Sequence, residues 1–230
     1  MAITAVIGLG QLGEAVVRHL SDHGAEVIAI DSDLPRVEAI KDRVARAVCL
    51  DATDERALRA AGVAEASTVV LALGEGQLEQ AVLATMMLRE LGVGRIISRA
   101  ATDVQAKVLQ RLGVSRIVFP ERQVGVQLAR QILSPTVLEM MPLSYGTSVA
   151  EVQITKELAG QSIGDAAIRR RYGLNVIAVR RAEQRAADDG NIDERWSVDN
   201  APGPETVMAL GDVLVVAGAD EKIRALAEVS

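Results

Sequence analysis

The chain has 230 residues, of which 49% are hydrophobic, 24% charged and only 2% aromatic, with a formal net charge of -6. That length suits one large domain or two small ones, at roughly 100–200 residues each, and the apolar share excludes wholesale disorder. The acidic balance argues against a phosphate-backbone partner and so against nucleic acid, and the few aromatics (Phe119, Tyr145, Tyr172, Trp196) cannot build a base-stacking platform.

In chain order, residues 3–7 form a short apolar strand that enters Gly8-Leu9-Gly10-Gln11-Leu12-Gly13. Residues 11–23 show helical periodicity through Leu12, Val16, Val17 and Leu20, and Gly24 fits the stop. A second strand, 26–30, ends at Asp31, and a helix follows with Pro35 in its first turn, where the missing N–H costs little. Residues 45–50 read as a third strand. Thr53 is the expected cap of a helix over 54–61 that stops at Gly62. Further strands are expected at 68–73, 95–99 and 115–119, separated by helices at 76–91 and 103–112. Apolar strands alternating with helices imply an α/β, Rossmann-like parallel sheet covered on both faces.

Pro120 opens another helix, running to about residue 131, and Ser134-Pro135 marks a break. The texture then changes to a small α+β unit. It has strands at 148–154, 175–180 and 212–217 and helices at 162–171 and 219–229. A polar loop or hairpin at 183–204 contains Trp196. The expected domains are 1–135 and 136–230.

Gly8-x-Gly10-x-x-Gly13 directly follows a strand and opens a helix, the context in which the pattern has a mechanism. The first glycine permits a tight turn, the second lets backbone amides approach a pyrophosphate, and the third lets helix and strand pack closely. The helix N-terminus adds unpaired N–H groups and the positive end of its dipole. Asp31 follows about 20 residues later, where a carboxylate accepts hydrogen bonds from ribose hydroxyls. No arginine replaces it, so a 2′-phosphate is disfavoured. Gln11, Leu12 and Ser32 adjoin these residues. Asp51-Ala52, Ala72-Leu73-Gly74 and Arg99 stand at the ends of other strands, where open parallel sheets bind ligands. Asp51-Ala52 suits an adenine edge, Ala72 to Gly74 the ribose or phosphates, and Arg99 a phosphate. Each also reads as a turn residue, and the glycines as packing alone.

Cys49, the single cysteine, lies in an apolar run and reads as a buried packing residue in a reduced cytosolic setting. His19 and His23 read as a solvated helix end rather than a metal site, with no third ligand near in sequence. The amino terminus shows no secretory pattern, and no apolar run reaches the roughly 18 residues of a membrane helix. The sequence has no Tyr-x-x-x-Lys, no serine nucleophile elbow and no Cys–His pairing for catalysis. A nucleotide site without a chemical partner points to sensing, in which the ligand biases a conformational equilibrium.

These motifs, with Leu50-Asp51-Ala52-Thr53 and Phe119-Pro120-Glu121-Arg122-Gln123-Val124-Gly125, resemble the RCK domains, regulators of potassium conductance. More narrowly the chain resembles the Ktr/Trk-type regulatory subunits of potassium uptake. Glu157 to Ile163, Arg171 to Val179 and Leu210 to Gly218 resemble the family's carboxy-terminal subdomain. The resemblance covers essentially the whole chain.

It implies a cytoplasmic, non-enzymatic subunit that binds ATP, ADP or NAD(H). Homodimers would assemble into a tetramer or octameric ring beneath a membrane-embedded potassium channel or transporter subunit. Glu121 would help hold a divalent cation near the nucleotide phosphates, or else is only a helix-start carboxylate. Many Ktr-type members carry arginine where Gln11 stands, which raises the expectation of NAD(H) or ADP here. In some relatives the carboxy-terminal subdomain binds cyclic di-AMP, and the matching positions are Ile163, Ile168, Arg169 and Asn175. Arg169 to Arg171 also reads as a solvated basic face. The alternatives are an NAD-dependent oxidoreductase and an RCK-type regulator of another cation or proton antiporter.

Overall fold

In a computed structural model of the protein, residues 2–74, 76–186 and 192–229 are described. The chain divides into two compact units, Met1–Val124 and Gly125–Ser230.

The first unit alternates β1 (Thr4–Ile7), α1 (Gln11–Asp22), β2 (Val27–Asp31), α2 (Leu34–Ile40), β3 (Arg46–Cys49), α3 (Glu55–Ala60), β4 (Thr68–Leu71), α4 (Leu78–Glu90), β5 (Arg95–Arg99), α5 (Asp103–Arg111) and β6 (Arg116–Val118). All sheet pairs are parallel and the strand order is β3-β2-β1-β4-β5-β6. This is the Rossmann-like sheet that the strand–helix alternation predicts.

Side chains alternate between the faces of a strand, and here each face has its own core. Ala5, Ile7, Ile28, Ile30, Val69, Leu71 and Ile96 pack with Leu58, Ala84, Leu88 and Leu109 on one side. Val6, Val27 and Ala29 pack with Val17, Val37 and Ile40 on the other. Small and β-branched residues suit this layer because both faces of the central strands are buried.

One cap differs from expectation. Thr53 does not cap α3, since its N–H and hydroxyl both donate to the Asp51 carboxylate. Asp54 is the cap, accepting the Ala57 N–H at 3.1 Å. Cys49 is also not buried. It ends the edge strand β3 and is exposed, because an edge strand has a neighbour on one side only.

The helix α6 (Pro120–Leu133) spans the division between the units. The second unit then contains β7 (Val137–Ser144), β8 (Thr147–Gln153), α7 (Ile163–Ala166), α8 (Ile168–Tyr172), β9 (Asn175–Ala186), β10 (Ile192–Asp199), β11 (Val213–Ala219) and α9 (Asp220–Val229). Its sheet is antiparallel in the order β10-β9-β11-β8-β7. Val152, Val179, Leu214 and Val216 pack with Ile168, Ile223 and Leu226 to form its core.

The sequence pattern does not reveal β7. Only Val137 of that strand is buried and Pro142 interrupts it, so no period of two is visible; edge strands tolerate such a pattern. The helix expected at 162–171 is two short helices. Ala167 between them has φ 47°, a left-handed conformation that costs a non-glycine residue roughly 1–2 kcal/mol. In the stretch 183–204, β9 and β10 pair as a hairpin with Trp196 opposite Ala182, and residues 187–191 lie outside the described residues. Among the described residues, no helix is long and apolar enough to cross a membrane.

Candidate nucleotide-binding site

The sheet order places β1 at the centre, with β2 on one side and β4 on the other. Chain direction around the sheet reverses there, and such a switch point opens a crevice beyond the carboxyl ends of the strands. Gly8, directly after β1, has φ 92°, and its N–H donates to the Ile30 carbonyl at 2.8 Å. A Cβ on Gly8 would meet the Ala72 carbonyl oxygen at 2.9 Å. A Cβ on Gly13 would lie 1.7 Å from the Gly8 carbonyl oxygen, so α1 can pack on this turn only with hydrogen at that position. A Cβ on Gly10 would meet nothing within 4 Å. Space is therefore open where α1 begins, and Gly10 caps that helix without any side-chain bond to its first N–H groups. Open amides at the positive end of a helix dipole suit a phosphate. Gln11 is exposed beside this opening, and Leu12 is half-buried.

Asp31 is only 8% exposed. Its Oδ2 accepts the Leu9 N–H at 2.6 Å and its Oδ1 accepts the Asp33 N–H at 2.8 Å. The carboxylate thus joins the glycine turn to the end of β2. The structure adds a neighbour that the strand-end reading missed. The Arg36 guanidinium lies 3.7 Å from Asp31 Oδ2 and 3.2 Å from Asp33 Oδ2. Spacing gave no signal for it, because the turn into α2 brings residue 36 back over residue 31.

Ser32 is exposed, and its carbonyl accepts the Cys49 thiol at 3.4 Å. Asp51 follows β3. The Thr53 backbone N–H, and secondarily the Thr53 hydroxyl, hold its carboxyl below its ordinary acidity range. Those bonds make Asp51 a turn-former as well as a strand-end carboxylate. Ala52 packs against the sheet core.

Leu73, Gly74 and Arg99 line one cleft together with Gln77 and Gln105. The Gly74 N–H is taken by the Gln77 side-chain oxygen at 2.7 Å. Arg99 is 17% exposed and pairs with the 64% exposed Glu121 at 2.6 Å. A carboxylate paired in this way is a poor start for a metal centre. No group of three or more His, Cys, Asp or Glu is gathered for a metal among the described residues. The described residues of one chain therefore do not by themselves fit a divalent cation.

The residues matched to a second ligand all lie in the second unit. Ile163 opens α7 and is half-buried, while Ile168 opens α8 and is 1% exposed, so its side chain belongs to the core. Arg169 and Asn175 are exposed. The His19 and His23 rings meet at a tilt of 41° at the end of α1, with centroids 4.3 Å apart and the His23 Nδ1 against the His19 carbonyl.

The TrkA-N domain family matches residues 4–120. The Ktr system potassium uptake protein C of Bacillus subtilis (strain 168) is 37% identical over 180 residues, which cover 78% of this chain and 81% of that protein. The Ktr system potassium uptake protein A of Vibrio alginolyticus is 31% identical over 95% of this chain and 93% of its own length. Among solved structures, the GsuK channel superposes with a TM-score of 0.66 at 21% identity, covering 98% of this chain and 38% of that one. This chain thus spans well under half of that channel. The TrkA-N domain of the inner membrane protein ybaL from Escherichia coli matches 59% of this chain at a TM-score of 0.50. Sheet order, glycine turn and sequence agree: the chain belongs to the TrkA-N family and, within it, to the Ktr system potassium uptake proteins.

Proposed function

We propose that this chain is the nucleotide-sensing regulatory subunit of a membrane potassium uptake system. The observation that carries the reading is the cradle formed by Gly8, Gly10 and Asp31 at the switch point of a Ktr-related sheet. The open N-terminus of α1 would take the phosphates of an adenine nucleotide (NAD(H), ADP or ATP). Asp31 would take the ribose. Arg99 would leave Glu121 to meet a terminal phosphate, since a doubly charged phosphate offers a guanidinium more than an exposed carboxylate does. Cyclic di-AMP at Ile163, Arg169 and Asn175, with Ile168 packed in the core beneath them, is the second ligand in this reading.

The subunit would work on the cytoplasmic side, peripheral to its membrane partner and without catalysis of its own. Assembly from homodimers is supported by α6, a 14-residue helix with no buried residue. Leu128, Ile132 and Leu133 on it are 55%, 70% and 82% exposed. A helix of that length is marginal unless its apolar side is packed, and a second copy of the chain would pack it.

The test is reconstitution with a potassium-transporting membrane subunit in vesicles, with rubidium flux read as ADP, ATP or NADH is added. The expected result is a nucleotide-dependent change in flux that Asp31→Asn weakens. Flux indifferent to every nucleotide overturns the reading. Nicotinamide turnover lost in Asp31→Asn would favour an oxidoreductase instead.

A further inference from the structure

An aspartate at a helix start ordinarily accepts an N–H from the first turn. Asp33 is the N-cap of α2 and makes no such bond. The reason is local. Pro35 has no N–H to give, and the Arg36 N–H is taken by the Asp33 carbonyl at 3.1 Å. The Asp33 carboxylate turns instead to the Arg36 side chain, 3.2 Å from Nε. The Asp33 backbone N–H meanwhile holds Asp31 Oδ1. One residue therefore orients the ribose-binding carboxylate through its backbone and restrains the neighbouring cation through its side chain.

Arg36 is 52% exposed and lies beside Asp31. A guanidinium next to the ribose end is the group that accommodates a 2′-phosphate in dinucleotide folds. Asp31 and Asp33 carry two negative charges against the single positive charge of Arg36, so the cluster as it stands repels a 2′-phosphate. We infer that Asp33 is a specificity-determining residue: it occupies and neutralises the Arg36 guanidinium at the ribose end and so restricts the crevice to nucleotides with a free 2′-hydroxyl. The inference rests on the nucleotide reading of the crevice proposed above and adds to it the discrimination between 2′-hydroxyl and 2′-phosphate.

The probes are AMP and adenosine 2′,5′-bisphosphate, which differ only by the 2′-phosphate, with NADH and NADPH as the larger pair. Calorimetry on the whole chain, freed of bound ligand, gives the ratios. In Asp33→Asn the 2′-phosphorylated partner of each pair is expected to bind about tenfold tighter than to the wild type, the order of a one-charge change at close range. AMP and NADH should change by no more than about twofold, because their contacts do not involve Arg36. Adding Arg36→Ala to Asp33→Asn should remove the gain. Asp33 makes no capping bond and its pair with Arg36 is exposed, so the melting temperature should fall by no more than about 2–4 °C. Wild-type binding of AMP together with no gain in Asp33→Asn overturns this inference alone. A gain that survives Arg36→Ala also overturns it. A wild-type chain that binds neither AMP nor NADH overturns the crevice reading, and this inference with it.

Discussion

The Leu9 backbone N–H donates to Asp31 Oδ2 at 2.6 Å, tying the glycine turn after one strand to the end of the next. The bond is buried, so Asp31 is a structural acceptor before it is a ligand contact. Replacing it therefore acts on the fold as well as on binding.

Asp31→Ala should weaken adenine-nucleotide binding at least tenfold and also destabilise the protein. It leaves the Leu9 N–H buried without its acceptor, at a cost of about 1–3 kcal/mol. Asp31→Asn keeps one acceptor oxygen and should lose less stability. Calorimetry and thermal melts check both, and an unchanged melting temperature in Asp31→Ala counts against the structural role.

Gly13→Ala and Gly10→Ala should separate folding from binding. The first puts a methyl group 1.7 Å from a backbone oxygen and should cost more than about 3 kcal/mol, enough to abolish the native state of a marginal domain. The second meets open space, so the fold should survive while nucleotide affinity drops. Melts that rank the two the other way would contradict the packing at Gly8.

Glu121→Gln removes the charge that holds Arg99. Without divalent cations, with EDTA present, ADP should bind about threefold tighter, since an exposed ion pair offsets roughly 1 kcal/mol at most. No gain in EDTA would show that Arg99 does not face the phosphates.

Gln11→Arg places a guanidinium on the first residue of α1, beside the open amides. The ratio of ADP to ATP dissociation constants should rise by about fivefold, because ATP carries the extra phosphate charge. An unchanged ratio by calorimetry would place residue 11 away from the terminal phosphate.

Acid should act through Asp51. Its bonds from Thr53 hold the folded carboxyl below the ordinary 3.8, so the unfolded chain takes up the proton first. The stabilisation is present above that value and lost as pH falls below it. Asp51→Asn should melt slightly below wild type at pH 7, by about 1–2 °C given the group's exposure. The gap between the two proteins should narrow as pH falls further below 3.8, and a gap that widens there contradicts the sign.

The strands of the parallel sheet were legible because burial on both faces leaves near-continuous apolar runs. The glycine pattern was legible because a strand precedes it and a helix follows. The second unit was less so. The edge strand β7 carries no period of two, and the break at Ala167 has no glycine to announce it. Cys49 looked like core because its neighbours are apolar, yet strand order puts it on the edge.

The sequence by itself determined the fold class, the crevice-forming glycines and Asp31, since local period and residue chemistry are properties of neighbours along the chain. Only the tertiary structure decided who the partners are. The pairings of Asp31 with Leu9 and of Arg99 with Glu121, each 22 residues apart, come from strand ends meeting across the sheet. The hold of Asp33 on Arg36 spans only three residues, but it depends on a cap that Pro35 leaves without a donor. Such choices follow from which hydrogen-bond donors remain once the backbone is paired, and that accounting closes only in the folded chain.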